Sequence, residues 1–113
     1  MSYRASKKLK RERNQRRALF KTLLASLVLK KRIKTTEAKA KAVRPFVERL
    51  VTVAKKDTLS SRRYVAKYVS NTVAKGLHTL AATYKERPGG YLRIVKAGMR
   101  HGDKAKVAFI EFV

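Results

Sequence analysis

Two histidines, His78 and His101, and seven scattered acids are the entire stock of side chains from which acid–base catalysis could be built. Catalysis needs a base, a nucleophile or a metal held where substrate can reach it, and no two of these residues lie at a spacing that sets up such a pair. His78 follows Leu77 inside a helical stripe, where a histidine satisfied by its packing is the plain reading. His101 falls in a basic loop between two extended segments, placed for hydrogen bonding to a nucleic-acid phosphate or base, with simple exposure as the other reading. A small ribonuclease would have to work through these two imidazoles. Cysteine is absent, which excludes disulfides, Cys-ligated zinc and thiol chemistry. Gly89-Gly90 lacks the Gly and Lys spacing of a nucleotide-binding loop and follows no strand, so it reads as a turn. No catalytic residue, cofactor or metal is expected.

The abundant chemistry is cationic. Thirty Lys and Arg stand against seven Asp and Glu, a formal net charge of +23, and self-repulsion on that scale destabilises a compact state standing alone. A polyanionic partner is required. Nucleic acid fits best, because each cation that neutralises a phosphate releases a condensed counterion. An anionic membrane would also attract the charge, but no run of about 18 apolar residues exists to span one, and the cations lie along the whole chain.

Arg4, Lys7, Lys8, Lys10, Arg11, Arg13, Arg16 and Arg17 crowd the first seventeen residues, with Glu12 the only acid among them. Such a segment cannot bury a core, and it reads as an arm that orders on contact with RNA phosphates rather than as a solvated tail. Arg62 and Arg63 fall in the first turn of a helix, where cations oppose the helix dipole and a phosphate would offset them. Arg93, Lys96 and Arg100 line a hairpin. Tyr91, next to Arg93, is placed either to stack on an unpaired base or to pack in the core.

These cations need elements to hold them. Apolar residues make up 44% of the 113-residue chain, enough for one domain and too few residues for two. Leu19, Leu23, Leu24, Leu27 and Val28, with Phe20 beside them, recur at the spacing of one helix face, up to Lys30-Lys31-Arg32. Ile33 to Thr36 reads as a short strand. Thr36 can cap the next helix, whose stripe is Val43, Phe46, Val47, Leu50, Val51 and Ala54, with Pro45 predicting a kink or a later start. Asp57-Thr58 with Ser60 and Ser61 supplies caps for a third helix with Leu59, Val65, Tyr68 and Val69 on its apolar side. Ser70-Asn71 punctuates the chain before a fourth stripe of Val73, Leu77, Leu80, Ala81 and Tyr84, weakened by Gly76. After the break at Arg87 to Gly90, Tyr91–Lys96 and Lys106–Phe112 should pair as an antiparallel hairpin around a loop from Gly98 to Lys104. The core-facing set of the last strand stays open between Ala108, Ile110 and Phe112 and the pair Val107 and Phe109.

Taken together, Ile33-Lys34-Thr35-Thr36, Lys39-Ala40-Lys41, Arg44, Glu48, Leu50 to Lys55, Arg62-Arg63, Gly89 to Lys96 and Gly102-Asp103 to Phe112 resemble the family of the seventeenth protein of the bacterial large ribosomal subunit. The resemblance spans essentially the whole chain. It implies a two-layer α+β fold in which the short strand joins the hairpin in a small mixed sheet covered by helices. It also implies binding to large-subunit ribosomal RNA near the outer end of the nascent-peptide tunnel, beside other ribosomal proteins, in the bacterial cytoplasm. Family members open with Met-Arg-His and carry His-Arg before the first helix; here those places read Met1-Ser2-Tyr3-Arg4 and Arg16-Arg17, and Leu92 replaces a threonine. Phosphate contact carries over, while histidine contacts do not. Because the resemblance begins inside the arm, it argues against a cleavable transit peptide.

The expectation is therefore a basic arm over residues 1–17 and a single domain over 18–113. Its work is to clamp ribosomal RNA, one copy per ribosome, with no membrane and no small-molecule substrate. An architectural DNA-compacting protein would need the same charge, although the hairpin lacks an apolar wedge at its tip.

Overall fold

The computed structural model describes residues 13–113, which form four helices and three strands. In chain order they are α1 (Arg13–Lys30), β1 (Arg32–Thr36), α2 (Glu37–Ala54), α3 (Leu59–Ala66), α4 (Asn71–Ala82), β2 (Leu92–Met99) and β3 (Lys106–Phe112). The α+β class and the element order agree with the sequence reading.

Each helix start follows from local chemistry. The Thr36 side chain accepts from the Lys39 amide at 3.2 Å, with Glu37 in the first turn of α2. Thr58 and Ser61 form a reciprocal capping box at α3, and Ser70 caps α4. The second helix runs unbroken from Glu37 through Pro45 to Ala54, so the later start is not taken. Pro45 is exposed, which leaves water to serve the carbonyl that its missing amide would have bonded.

The core lies between the sheet and the helices, and α2 is its hub, touching all three strands and the other three helices. Leu24, Leu27, Val43, Val47, Leu50, Val51, Val65 and Leu77 are fully or almost fully buried. Each such side chain stabilises the fold by about 1.5–3 kcal/mol relative to exposure. Leu59, expected on the apolar side of α3, is instead 65% exposed, because Ser61 and Val65 set the buried side of that helix and Leu59, two residues before Ser61, falls on the other side. Gly76 marks the place where α4 meets α1: a Cβ there would lie 2.8 Å from Cγ1 of Val28. The residue that weakened the fourth helix in sequence is the one that lets it pack.

The strand order is β1-β3-β2, and both pairs are antiparallel. This corrects the mixed sheet implied by the family resemblance. β1 and β2 do run parallel to each other, but β3 separates them and each pairs only with it. In register, Ile33, Ile110 and Ile94 share one row, and Ile110 packs in the core with Leu92 and, partly buried, Phe112. The set Ala108, Ile110 and Phe112 therefore faces the helices. The last strand has the bounds expected for it, Lys106–Phe112, whereas β2 begins at Leu92 and runs on past Lys96 to Met99, so that Gly98 lies in β2 rather than in the loop. A register shift between Lys96 and Gly98 leaves Ala97 as the extra residue, and Gly98 takes φ +93°, a left-handed conformation that glycine adopts at low cost.

Candidate nucleic-acid interface

The hairpin carries five exposed cations, Arg93, Lys96, Arg100, Lys104 and Lys106. Every residue from Val95 to Lys104 is exposed, so past Ile94 β2 leaves the helical layer. Across its end the Arg100 amide donates to Ala105 O at 2.8 Å and the Lys104 amide to Arg100 O at 3.0 Å. Asp103 closes the turn: its carboxylate accepts from Arg100 Nη2 at 2.6 Å and from the Ala105 amide at 3.0 Å. The Arg100 guanidinium, with help from that amide, holds the Asp103 carboxyl down at about 2. Arg100, His101 and Lys104 are thus presented on an ordered turn, and Lys106 follows them.

Arg93, Lys96 and Arg100 do not share one side of the hairpin. Arg93 pairs with Glu111 on the solvent face of the sheet, whereas Lys96 stands opposite Ala108 on the helix-facing side. Its Nζ lies 3.8 Å from Glu37, whose carboxyl is held below the usual range chiefly by its hydrogen bond with Lys41. The alternation of side chains along a strand separates positions three apart, and the hairpin presents cations on both faces.

Arg62 and Arg63 are both exposed on α3, but only Arg62 falls in its first turn; Arg63 lies in the last turn of this eight-residue helix, where a cation suits the dipole, which corrects the sequence reading for that residue. Arg62 reaches back to Asp57, with Nε at 2.9 Å and Nη2 at 2.8 Å from one carboxylate oxygen. The dipole conflict noted in sequence is therefore already offset within the chain for Arg62. Arg13 and Arg17 are exposed on α1, on helical backbone, while Arg16 on the same helix is buried at 2% exposure and presents no surface for phosphate. Arg4, Lys7, Lys8, Lys10 and Arg11 lie outside the described residues.

Tyr91 is a core residue. It is 0% exposed, its ring lies 5.3 Å from that of Tyr84, and its hydroxyl receives Lys55 Nζ at 3.0 Å and faces the Thr52 hydroxyl at 3.2 Å. Burial pushes this hydroxyl up, yet the hydrogen bonds of Lys55 and Thr52 and the Lys55 charge together pull it below the usual phenol range. A ring so enclosed cannot stack on a base, which corrects that alternative. Its position just before β2, under α2, decided the matter.

Sequence reasoning missed the solvent face of the sheet. There Arg32, Glu111 and Arg93 form one row across β1, β3 and β2, and Lys34, Phe109 and Val95 form the next. Glu111 Oε1 binds Arg32 Nε at 2.9 Å, and Oε2 binds Arg93 Nη2 at 2.5 Å. The Arg32 guanidinium lies 3.9 Å above the centroid of the Phe109 ring. In sequence, Arg32 reads only as a cation at a helix end. The alternation of charge and aromatic in Phe109 and Glu111 was the available signal, but the partner strand was not legible.

His78 Nδ1 lies 3.4 Å from the Ala54 carbonyl in a half-buried site, whereas His101 is exposed at the hairpin end. Among the described residues no group of three or more His, Asp or Glu could hold a metal ion, and no helix is long and apolar enough to cross a membrane. What the surface can do is bind anions at fixed positions.

Comparison with known proteins bears on which anions. A family model described as Ribosomal protein L17 matches residues 19–113. The chain is 48% identical over 116 residues to the large ribosomal subunit protein bL17 of Orientia tsutsugamushi (strain Boryong), an alignment covering 100% of this chain and 80% of that protein. It is 44% identical over 115 residues to the bL17 protein of Natranaerobius thermophilus, covering 100% of this chain and 99% of the relative. The bL17 protein of Shouchella clausii is 44% identical over 116 residues, covering 94% and 97%.

Proposed function

This chain belongs to the ribosomal protein L17 family, whose members are ribosomal structural proteins and not enzymes, and from that premise we propose that it binds and clamps folded large-subunit ribosomal RNA. The observation that carries the proposal is the hairpin, an ordered basic projection that ends in Arg100, His101 and Lys104. Lys96 and Arg93 on its two faces and Arg62 and Arg63 on α3 set further cations at distances fixed by the core. The basic segment from Arg4 to Arg17, apart from the buried Arg16, adds phosphate contacts to this scaffold. Phosphate contacts position the protein, and RNA shape supplies selectivity.

In the same proposal, the site of binding is near the outer end of the nascent-peptide tunnel, beside other large-subunit proteins, in the bacterial ribosome at one copy per particle. That placement rests on the family resemblance. The experiment is equilibrium binding of the full chain to a large-subunit RNA fragment at increasing salt. If six to ten cations touch phosphate, affinity falls roughly 10³ to 10⁵-fold between about 50 and 200 mM salt. A shallow dependence overturns the clamp.

One observation favours a second reading and corrects the expectation that the hairpin has no apolar wedge near its tip. Met99, 58% exposed, stands next to the hairpin turn and offers the apolar side chain that a DNA-bending arm would insert between base steps. Competition between ribosomal RNA and duplex DNA separates the two, and the clamp requires RNA to win.

A further inference from the structure

The solvent face of the three-stranded sheet combines features that phosphate binding alone does not need. Phe109, on the central strand, carries the Arg32 guanidinium on its ring at 3.9 Å. Arg32 is diagonal to Phe109 and directly opposite Glu111, which pins its Nε at 2.9 Å. The same carboxylate holds Arg93 from the other edge strand. Glu111 is only 15% exposed, while Arg32 and Arg93 are 54% and 59% exposed. Arg32 is thus a flat cation with one face on an aromatic ring, fixed in orientation by an acid, and open on its other side.

We propose that this face is a stacking platform for an unpaired base of single-stranded or bulged RNA, the base lying on the outer plane of the Arg32 guanidinium, with Arg93 and Lys34 reaching the flanking phosphates. The inference deepens the RNA-clamp reading and rests on it. Guanidinium planes and aromatic rings both stack on bases, and a layered ring, cation and base keeps the positive charge between two π systems. Glu111 is a positioning residue: it holds Arg32 in its stacking plane before RNA arrives, which lowers the ordering cost of binding. Val95, 39% exposed, and Phe109 are the only apolar members of the two rows, which is too little apolar surface for the core of a protein–protein contact, and lysine is depleted in such cores. Three cations against one acid favour a polyanion.

The test uses the full chain and two single-stranded oligonucleotides of equal length, one oligoadenylate carrying a 2-aminopurine and one abasic. The base-bearing strand is expected to bind roughly ten-fold more tightly than the abasic one, with quenched 2-aminopurine fluorescence. Arg32→Ala and Phe109→Leu should each abolish most of that difference and restore the fluorescence, and Glu111→Gln should do so in part. Circular dichroism checks that the variants are folded; should Phe109→Leu fail to fold, Arg32→Ala and the wild-type comparison decide. Equal binding of both strands with unquenched fluorescence overturns the platform and leaves the face to a protein neighbour, while the clamp stands if ribosomal RNA still binds with steep salt dependence. A base preference that survives Arg32→Ala overturns the placement. No binding to ribosomal RNA at low salt overturns the clamp and the platform together.

Discussion

Gly76 on α4 and Val28 on α1 approach so closely that a single added methyl group would lie 2.8 Å from Val28 Cγ1. Val28 is 3% exposed and β-branched, so it has little freedom to turn aside. The two helices are in register because the glycine is there.

Gly76→Ala should gain about 1 kcal/mol of helix propensity and lose about 1–3 kcal/mol to overpacking. The expected net effect on the folded chain is destabilisation by about 1 kcal/mol in urea unfolding. In a Val28→Ala background the sign should reverse. Additive single effects in that double-mutant cycle would mean that the contact does not limit the packing.

Tyr91→Phe removes a buried hydroxyl from Lys55 and Thr52, at an expected cost of about 1 kcal/mol. RNA affinity and its salt slope should be unchanged in the folded variant, because the ring touches only the core. An affinity loss at constant stability would return Tyr91 to the interface.

The Asp103 carboxylate should titrate at about 2, well below the ordinary aspartate value, because Arg100 and the Ala105 amide favour its charged form. A depressed folded-state value means that the pairing stabilises the turn above the unfolded-state value and is lost as pH falls through the folded one. The Ala105 amide shift in an NMR titration should follow that low midpoint. A midpoint near 4 would show that the Arg100 pair does not persist in solution.

Replacing Arg100 and Lys104 together with alanine should weaken RNA binding about equally across sequences and reduce the salt slope by roughly 1–2. Arg63→Ala should reduce it by about 1. Salt titrations of each variant against one RNA fragment give the result, and an unchanged slope would remove the residue from the phosphate contacts.

The sequence by itself determined whatever depends on neighbours within a turn or two. Thr36, Thr58 and Ser70 announce helix starts through side-chain oxygens that reach amides three residues on. The stripe from Val43 to Ala54 shows its buried face by its own periodicity, and the net charge of +23 requires a polyanion before any fold is known. The tertiary structure alone decided which distant residues meet. Arg32 and Glu111 are far apart in the chain, and only the register of β1 on β3 puts a shared carboxylate between Arg32 and Arg93. The same register sent Lys96 to the face opposite Arg93, and packing under α2 took Tyr91 out of solvent. Local hydrogen bonds and helical periodicity are written in consecutive residues, whereas cross-strand partners depend on how the whole chain closes.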